Sequence, residues 1–202
     1  MPKKGMETIR QRQLIEATLQ VIHDQGMQAT TLARVGQRAG ISPGLVAHYF
    51  GDKGQLLAAT YLHLARKLEQ EYRSARAGTA SGLPRVRAII NANFAASQSD
   101  AVTVSTWLSF YAQVNHAPAL ARIQRVVTRR LRSNLTHALG ALMPRAHALH
   151  IAEGLGVMID GLWLRASLRT GGLDVDAARA MAHDYLDTQL QMLTGARYEQ
   201  SA

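Results

Sequence analysis

The chain has 202 residues, 23 lysines and arginines against 14 acids for a formal charge of +9, 47% hydrophobic residues and no cysteine. Without cysteine there are no disulfides, thiol nucleophiles, iron–sulfur clusters or thiolate zinc sites, and the apolar fraction is that of a folded chain with one ordinary core or two modules. The positive balance suits a phosphate-bearing partner, since cations set against a nucleic-acid backbone release condensed counterions.

The opening Met1-Pro2-Lys3-Lys4-Gly5-Met6-Glu7 runs into Arg10 and Arg12 rather than an apolar stretch, so no secretory leader is expected. A first helix is predicted over about 7–25, with Ile15, Thr18, Leu19 and Ile22 on one face and Gly26 ending it. A short helix follows over 31–39. Gly40-Ile41-Ser42 makes a turn, and Ser42-Pro43 reads as an N-cap with a first-turn proline opening another short helix through Tyr49. Gly51 and Asp52 break the chain again before a longer helix to about Arg76, carrying Leu57, Tyr61, Leu64 and Leu68 on one face.

Residues 77–82 form the clearest loop. Helices are then predicted over about 83–97, 102–114, 118–142, 145–169 and 175–193, with Gly171-Gly172 between the last two. The stretch 155–164 is broken by Asp160 and too short to span a bilayer, so a cytoplasmic protein with no membrane partner is expected. The densest basic cluster, Arg122, Arg125, Arg129, Arg130 and Arg132, reads first as a solvated helix face.

The segment 32–49 carries a mechanical signature. Two short helices crossing steeply need a tiny residue at the contact, a turn residue tolerant of positive φ, and apolar residues locking the pair. Gly36, Gly40 and the set Val35, Ile41 and Val46 meet those needs. Such a wedge can lay its second helix in a DNA major groove. An ordinary buried helical corner would need the same glycines but not the polar groups around them. Thr31, Arg34, Ser42, His48, Tyr49 and Lys53 are expected to face outward with hydroxyls, cations and a helix N-terminus suited to phosphate oxygens.

Residues 31–53, ending in His48-Tyr49-Phe50-Gly51-Asp52-Lys53, resemble the DNA-binding domain of the tetracycline-repressor family. Met1 to Ile22 and the blocks 106–112, 128–135 and 159–166 are similar to one branch of it, the choline-responsive repressors of glycine betaine synthesis. The helical pattern throughout gives an all-α fold; within it the resemblance implies a three-helix helix-turn-helix domain over 1–53 and a helical ligand-binding and dimerisation domain over 54–195, and residues 196–202 are expected to form a flexible tail. It also implies a homodimer on pseudo-palindromic double-stranded operator DNA, no catalysis, and no metal or cofactor beyond a small cationic effector, choline. By position it assigns phosphate contacts to Tyr49 and Lys53 and recognition-helix contacts to Ser42, Gly44 and His48, with Thr31, Arg34 and Pro43 beside them. Pro43 and Ala47 depart from the polar or basic residue and the tyrosine that many members carry there, so base readout shifts toward thymine methyls and DNA shape.

In the second module Trp107, Phe110 and Tyr111 share a helix face, which spacing alone reads as core or dimer seam. Asp160, in an apolar run with Trp163 one turn away, would need a cation or several donors to offset burial. A carboxylate beside aromatic faces suits a quaternary ammonium ion, which has no N–H and is held by ring quadrupoles and opposite charge. A structural partner such as Arg165 is the competing explanation for Asp160. Leu155, Met158, Leu162, Tyr185, Leu186, Leu190 and Leu193 are expected to form a four-helix dimer interface. The helix from about Gly54 to Arg76 joins both modules and is expected to act as the lever between ligand and reader. The alternatives are a repressor of an efflux pump sensing bulky cations, a helical enzyme pairing Asp160 with a histidine, and a sequence-neutral DNA-coating protein. The histidines lack metal-ligand spacing and no nucleophile motif appears.

Overall fold

The computed structural model describes residues 3–168 and 174–199. Every regular element among them is helical: α1 (Lys3–Ala29), α2 (Leu32–Ala39), α3 (Pro43–Phe50), α4 (Lys53–Arg76), α5 (Leu83–Asn93), α6 (Ala96–Ser99), α7 (Ala101–Gln113), α8 (Pro118–Leu139), α9 (Arg145–Ser167) and α10 (Val175–Glu199). A short 3-10 turn over Val114–His116 links α7 to α8. The expected Gly171-Gly172 separator lies outside the described residues.

The helices divide into two compact units, residues 1–67 with 100–125 and residues 68–99 with 126–202. The expected reader, residues 1–53, falls within the first unit, where α7 packs on α1, so that Leu19, Ile22 and Met27 of the reader share one apolar cluster with Leu57, Tyr61, Leu64, Phe110 and Leu120. Burying each such large side chain contributes about 1.5–3 kcal/mol. The reader therefore shares its core with the first half of α4 and with α7. In the described residues α10 runs through Glu199.

In the first unit α1 is buried on two sides. Leu14, Ala17 and Val21 face Val35, Ile41, Val46, Phe50 and Leu56, while Leu19 and Ile22 face the α4–α7 cluster. At Gly26 the backbone turns to φ 81°, kinking α1 where the sequence placed its end, and Thr30 caps the kink by donating to the Gly26 carbonyl at 3.0 Å.

The second unit is built on Val86, Ile89 and Ile90 of α5, Leu135 and Leu139 of α8, Ile151, Leu155 and Ile159 of α9, and Ala178, Ala182 and Leu186 of α10, all buried. The single helix expected over 83–97 is broken. Asn93 turns its side chain back to donate to the Ile89 carbonyl at 2.8 Å and accepts the Tyr72 hydroxyl at 2.9 Å, and Phe94 leaves helical geometry to bury its ring. The next long helix starts one residue early because the Asp100 carboxylate caps α7, accepting the Thr103 amide at 2.9 Å.

Candidate nucleic-acid interface and helical body

Two N-caps set the wedge. Thr31 accepts the Arg34 amide at 3.2 Å to start α2, and Ser42 accepts the Leu45 amide at 3.3 Å to start α3, with Pro43 in the first helical position. Between them Gly40 takes φ 66°, the left-handed conformation that closes α2, and the Ile41 amide donates to the Gly36 carbonyl at 2.8 Å. Gly36 is where the helices touch: a Cβ there would stand 2.5 Å from the Ile41 carbonyl oxygen and 3.2 Å from Val46 Cγ2. Val35 and Val46 are fully enclosed behind this contact.

The expected outward set does face outward. Thr31, Arg34, Ser42, Pro43, Gly44 and His48 are exposed, and Tyr49 and Lys53 are half-buried. Tyr49 packs against the reader core and meets the His48 ring edge-on at 5.5 Å, which fixes the end of α3. Both cations are held rather than free: Arg34 donates to the Ala29 carbonyl at 2.6 Å and Lys53 to the Gln28 carbonyl at 3.1 Å. Consecutive carbonyls at the end of α1 thus orient a guanidinium and an ammonium. Leu45, 38% exposed on α3, was missed by sequence reasoning, though its place one residue before buried Val46 marks it as a side chain on the other face. A helix-turn-helix wedge with N-cap hydroxyls and two anchored cations around its exposed face defines a DNA-binding regulator.

The aromatic residues singled out in the second module lie in both units. In the first, Phe110 stacks on Tyr61 at 4.4 Å and is fully buried, so it is a core residue and not a ligand wall; burial of its whole ring overrides the expectation. Trp107 meets Tyr61 edge-on at 5.3 Å and Tyr111 at 6.0 Å, and both Trp107 and Tyr111 are half-buried. The Tyr61 hydroxyl donates to Gln124. In the second unit Trp163 stacks on Phe94 at 5.5 Å. Asp160 is exposed rather than buried, which corrects the expected desolvation. Its charge reaches Tyr72, whose hydroxyl is held well above the usual phenol range, mainly by burial, with the nearby negative charges of Asp160 and Glu69 adding to the shift.

The expected dimer face is divided between the protomer's core and its surface. Leu155 and Leu186 are fully enclosed within their own protomer, so they belong to its core and cannot present themselves to a partner. Met158, Leu162, Tyr185, Leu190 and Leu193 remain half-buried on the same two helices. The apolar side chains that α9 and α10 expose most are instead Val157 (67%), Met192 (63%) and Met181 (54%).

Comparison with known proteins supplies the family. Residues 14–60 match the pattern of bacterial regulatory proteins of the tetR family, and residues 83–191 match the C-terminal domain of BetI-type transcriptional repressors. An HTH-type transcriptional regulator BetI from Burkholderia mallei (strain NCTC 10229) is 50% identical over 192 residues, covering 94% of this chain and 98% of the relative. A solved transcriptional regulator from Pseudomonas aeruginosa PAO1 superposes with a TM-score of 0.78 at 26% identity, covering 90% of each chain. Another from Saccharomonospora viridis, solved in complex with choline, has a TM-score of 0.75 at 14% identity, covering 89% of this chain and 96% of that one. The chain belongs to the tetR family, and within it to the BetI-type transcriptional repressors. It is a transcriptional regulator and not an enzyme. Among the described residues no helix is long and apolar enough to cross a membrane, and no three or more histidine, aspartate or glutamate side chains gather where they could hold a metal ion.

Proposed function

We propose that this repressor acts as a homodimer on a pseudo-palindromic operator controlling choline-to-glycine-betaine synthesis, and that choline weakens its hold on DNA. The observation that carries the DNA half is the exposed face of the wedge, where Thr31, Ser42, Arg34 and Lys53 offer capped helix starts and oriented cations to phosphates. Two such readers, one per protomer, match half-sites a helical turn apart, about 34–36 Å. Dimerisation has support in the apolar side chains of α9 and α10 left in solvent, Val157, Met181 and Met192.

The effector half rests on the sequence resemblance and on one feature of the second unit, a carboxylate and aromatic rings in one neighbourhood: Asp160 near Tyr72, and Trp163 stacked on Phe94. Trimethylammonium recognition uses opposite charge and ring faces, each desolvated cation–π contact contributing about 0.5–2 kcal/mol. A fold-level neighbour that holds choline supports the same reading. For release, choline has to prefer the DNA-incompetent state by only about 1–3 kcal/mol, some 5- to 150-fold in operator affinity. The test is a gel shift on DNA upstream of the protein's own gene. Choline should weaken the wild-type complex and leave the Asp160→Asn complex unchanged; operator occupancy indifferent to saturating choline removes the inducer assignment.

A further inference from the structure

The basic cluster of α8 is exposed, as expected of a solvated face, and two of its arginines also border a cavity. A cavity of about 780 Å³ opens in the second unit where the C-terminal half of α8 meets the start of α9. That volume is ordinary for a small-molecule site. Arg129, Arg132, Thr136 and His137 line it from one face of α8, at i, i+3, i+7 and i+8, and Arg145 enters from the first turn of α9. No acid is among the described lining residues. The remaining lining includes apolar Ala141, Met143 and Leu149.

The charges in this cavity are not equally compensated. Arg132 has Glu153 at 3.7 Å, and the neighbouring Arg130, outside the cavity, has Glu69 at 3.5 Å. Arg129 and Arg145 make no ion pair or side-chain hydrogen bond with any described residue. Thr136 adds an independent sign: its hydroxyl oxygen is buried without a partner among the described residues, a state that calls for an explanation in a folded protein. The first turn of α9 carries no acid, so the positive end of that helix dipole adds to the field of the arginines.

We propose that this cavity binds an organic anion, a carboxylate or phosphate head on a short apolar tail. Guanidinium groups pair bidentately with either head, the Thr136 hydroxyl supplies a donor, and Met143 and Leu149 cover the tail. The site takes the opposite charge from the effector proposed for Asp160 and stands or falls independently of it.

Calorimetry on the full chain at low salt tests this with three probes: octanoate, octyl phosphate and inorganic phosphate. One of the two tailed anions should saturate a single site per protomer, and the tighter of the two names the head group. Arg129→Gln with Arg145→Gln should weaken that probe at least tenfold, and Thr136→Val, which keeps every charge, severalfold. Arg130→Gln should change it less than twofold. The proposal is overturned if neither tailed anion binds saturably, if the double variant keeps both its helical circular dichroism and wild-type affinity, or if inorganic phosphate binds as tightly as octyl phosphate.

Discussion

Replacing Gly36 with alanine probes the wedge at its narrowest point. The new methyl would sit 2.5 Å from the Ile41 carbonyl oxygen, well inside the 3.0 Å below which real Cβ contacts essentially never fall, and 3.2 Å from Val46 Cγ2. Neither obstacle yields easily: one is backbone, and the other belongs to a fully enclosed side chain. Relief would require the start of α3 to move off α2, stretching the 2.8 Å bond from the Ile41 amide to the Gly36 carbonyl. Overpacking of this kind costs about 1–3 kcal/mol, and weakening the bond about 1 more. The better helix propensity of alanine offsets about 1. The net expectation is a loss of about 1–3 kcal/mol, read in urea as a fall of about 1 M in the unfolding midpoint. Operator affinity should fall with it, since α3 is displaced. Gly44→Ala is the control, because a Cβ there meets nothing within 4 Å and alanine should stabilise α3 by up to about 1 kcal/mol. If Gly36→Ala proves as stable as Gly44→Ala, the close-contact reasoning is wrong.

Stability should fall on mild acidification. His183 accepts from Arg87 at Nδ1 (3.2 Å) and presents Nε2 to the Asn91 side-chain oxygen (2.8 Å), an arrangement that fits the neutral ring. Burial first, and then the Arg87 charge, hold its pKa below the usual imidazole value, and burial does the same to His63. The unfolded chain therefore takes up protons first as pH drops, so this contribution is whole above about pH 6.5 and is lost as the pH falls toward the folded values. Melting temperatures at pH 7.5 and 5.5 should show the decline, and His183→Asn should make it shallower; a wild-type protein equally stable at both values would contradict this. Separately, lysine at Val157 and Met181 should shift sedimentation toward monomer with helix content unchanged, whereas an undisturbed dimer would exclude this face of α9 and α10 as the seam.

The reader was legible because its sequence carries local punctuation. Ser42-Pro43 names a helix start, Gly40 a left-handed stop, and Gly36 with Val46 the crossing, all within eleven residues. Less local features were not. The break after Asn93 depends on a hydrogen bond to Tyr72, twenty-one residues earlier in the chain, so the helical pattern ran through it unmarked. Burial on one side of a helix could not be told from a partner's contact: Leu155 and Leu186 fit a dimer seam and a protomer core equally well by spacing, and the core holds them. Phe110 shares a face with Trp107 and Tyr111, yet Tyr61 covers its ring alone among the three completely enough to bury it. The arginines of α8 looked uniform until their partners separated Arg130 on Glu69 from Arg129 in the cavity.

In the proposed complex the exposed edge of α2 and α3 meets a DNA backbone through cations anchored on the end of α1. The most direct measurement is the salt dependence of binding to fluorescently labelled DNA from upstream of the protein's own gene, for wild type and for Arg34→Gln with Lys53→Gln. Each phosphate contact adds about 0.9 to the slope of log affinity against log salt, so the variant should bind more weakly and lose about one unit of slope per cation in each reader. A variant with the wild-type slope and affinity would show that the duplex is held elsewhere.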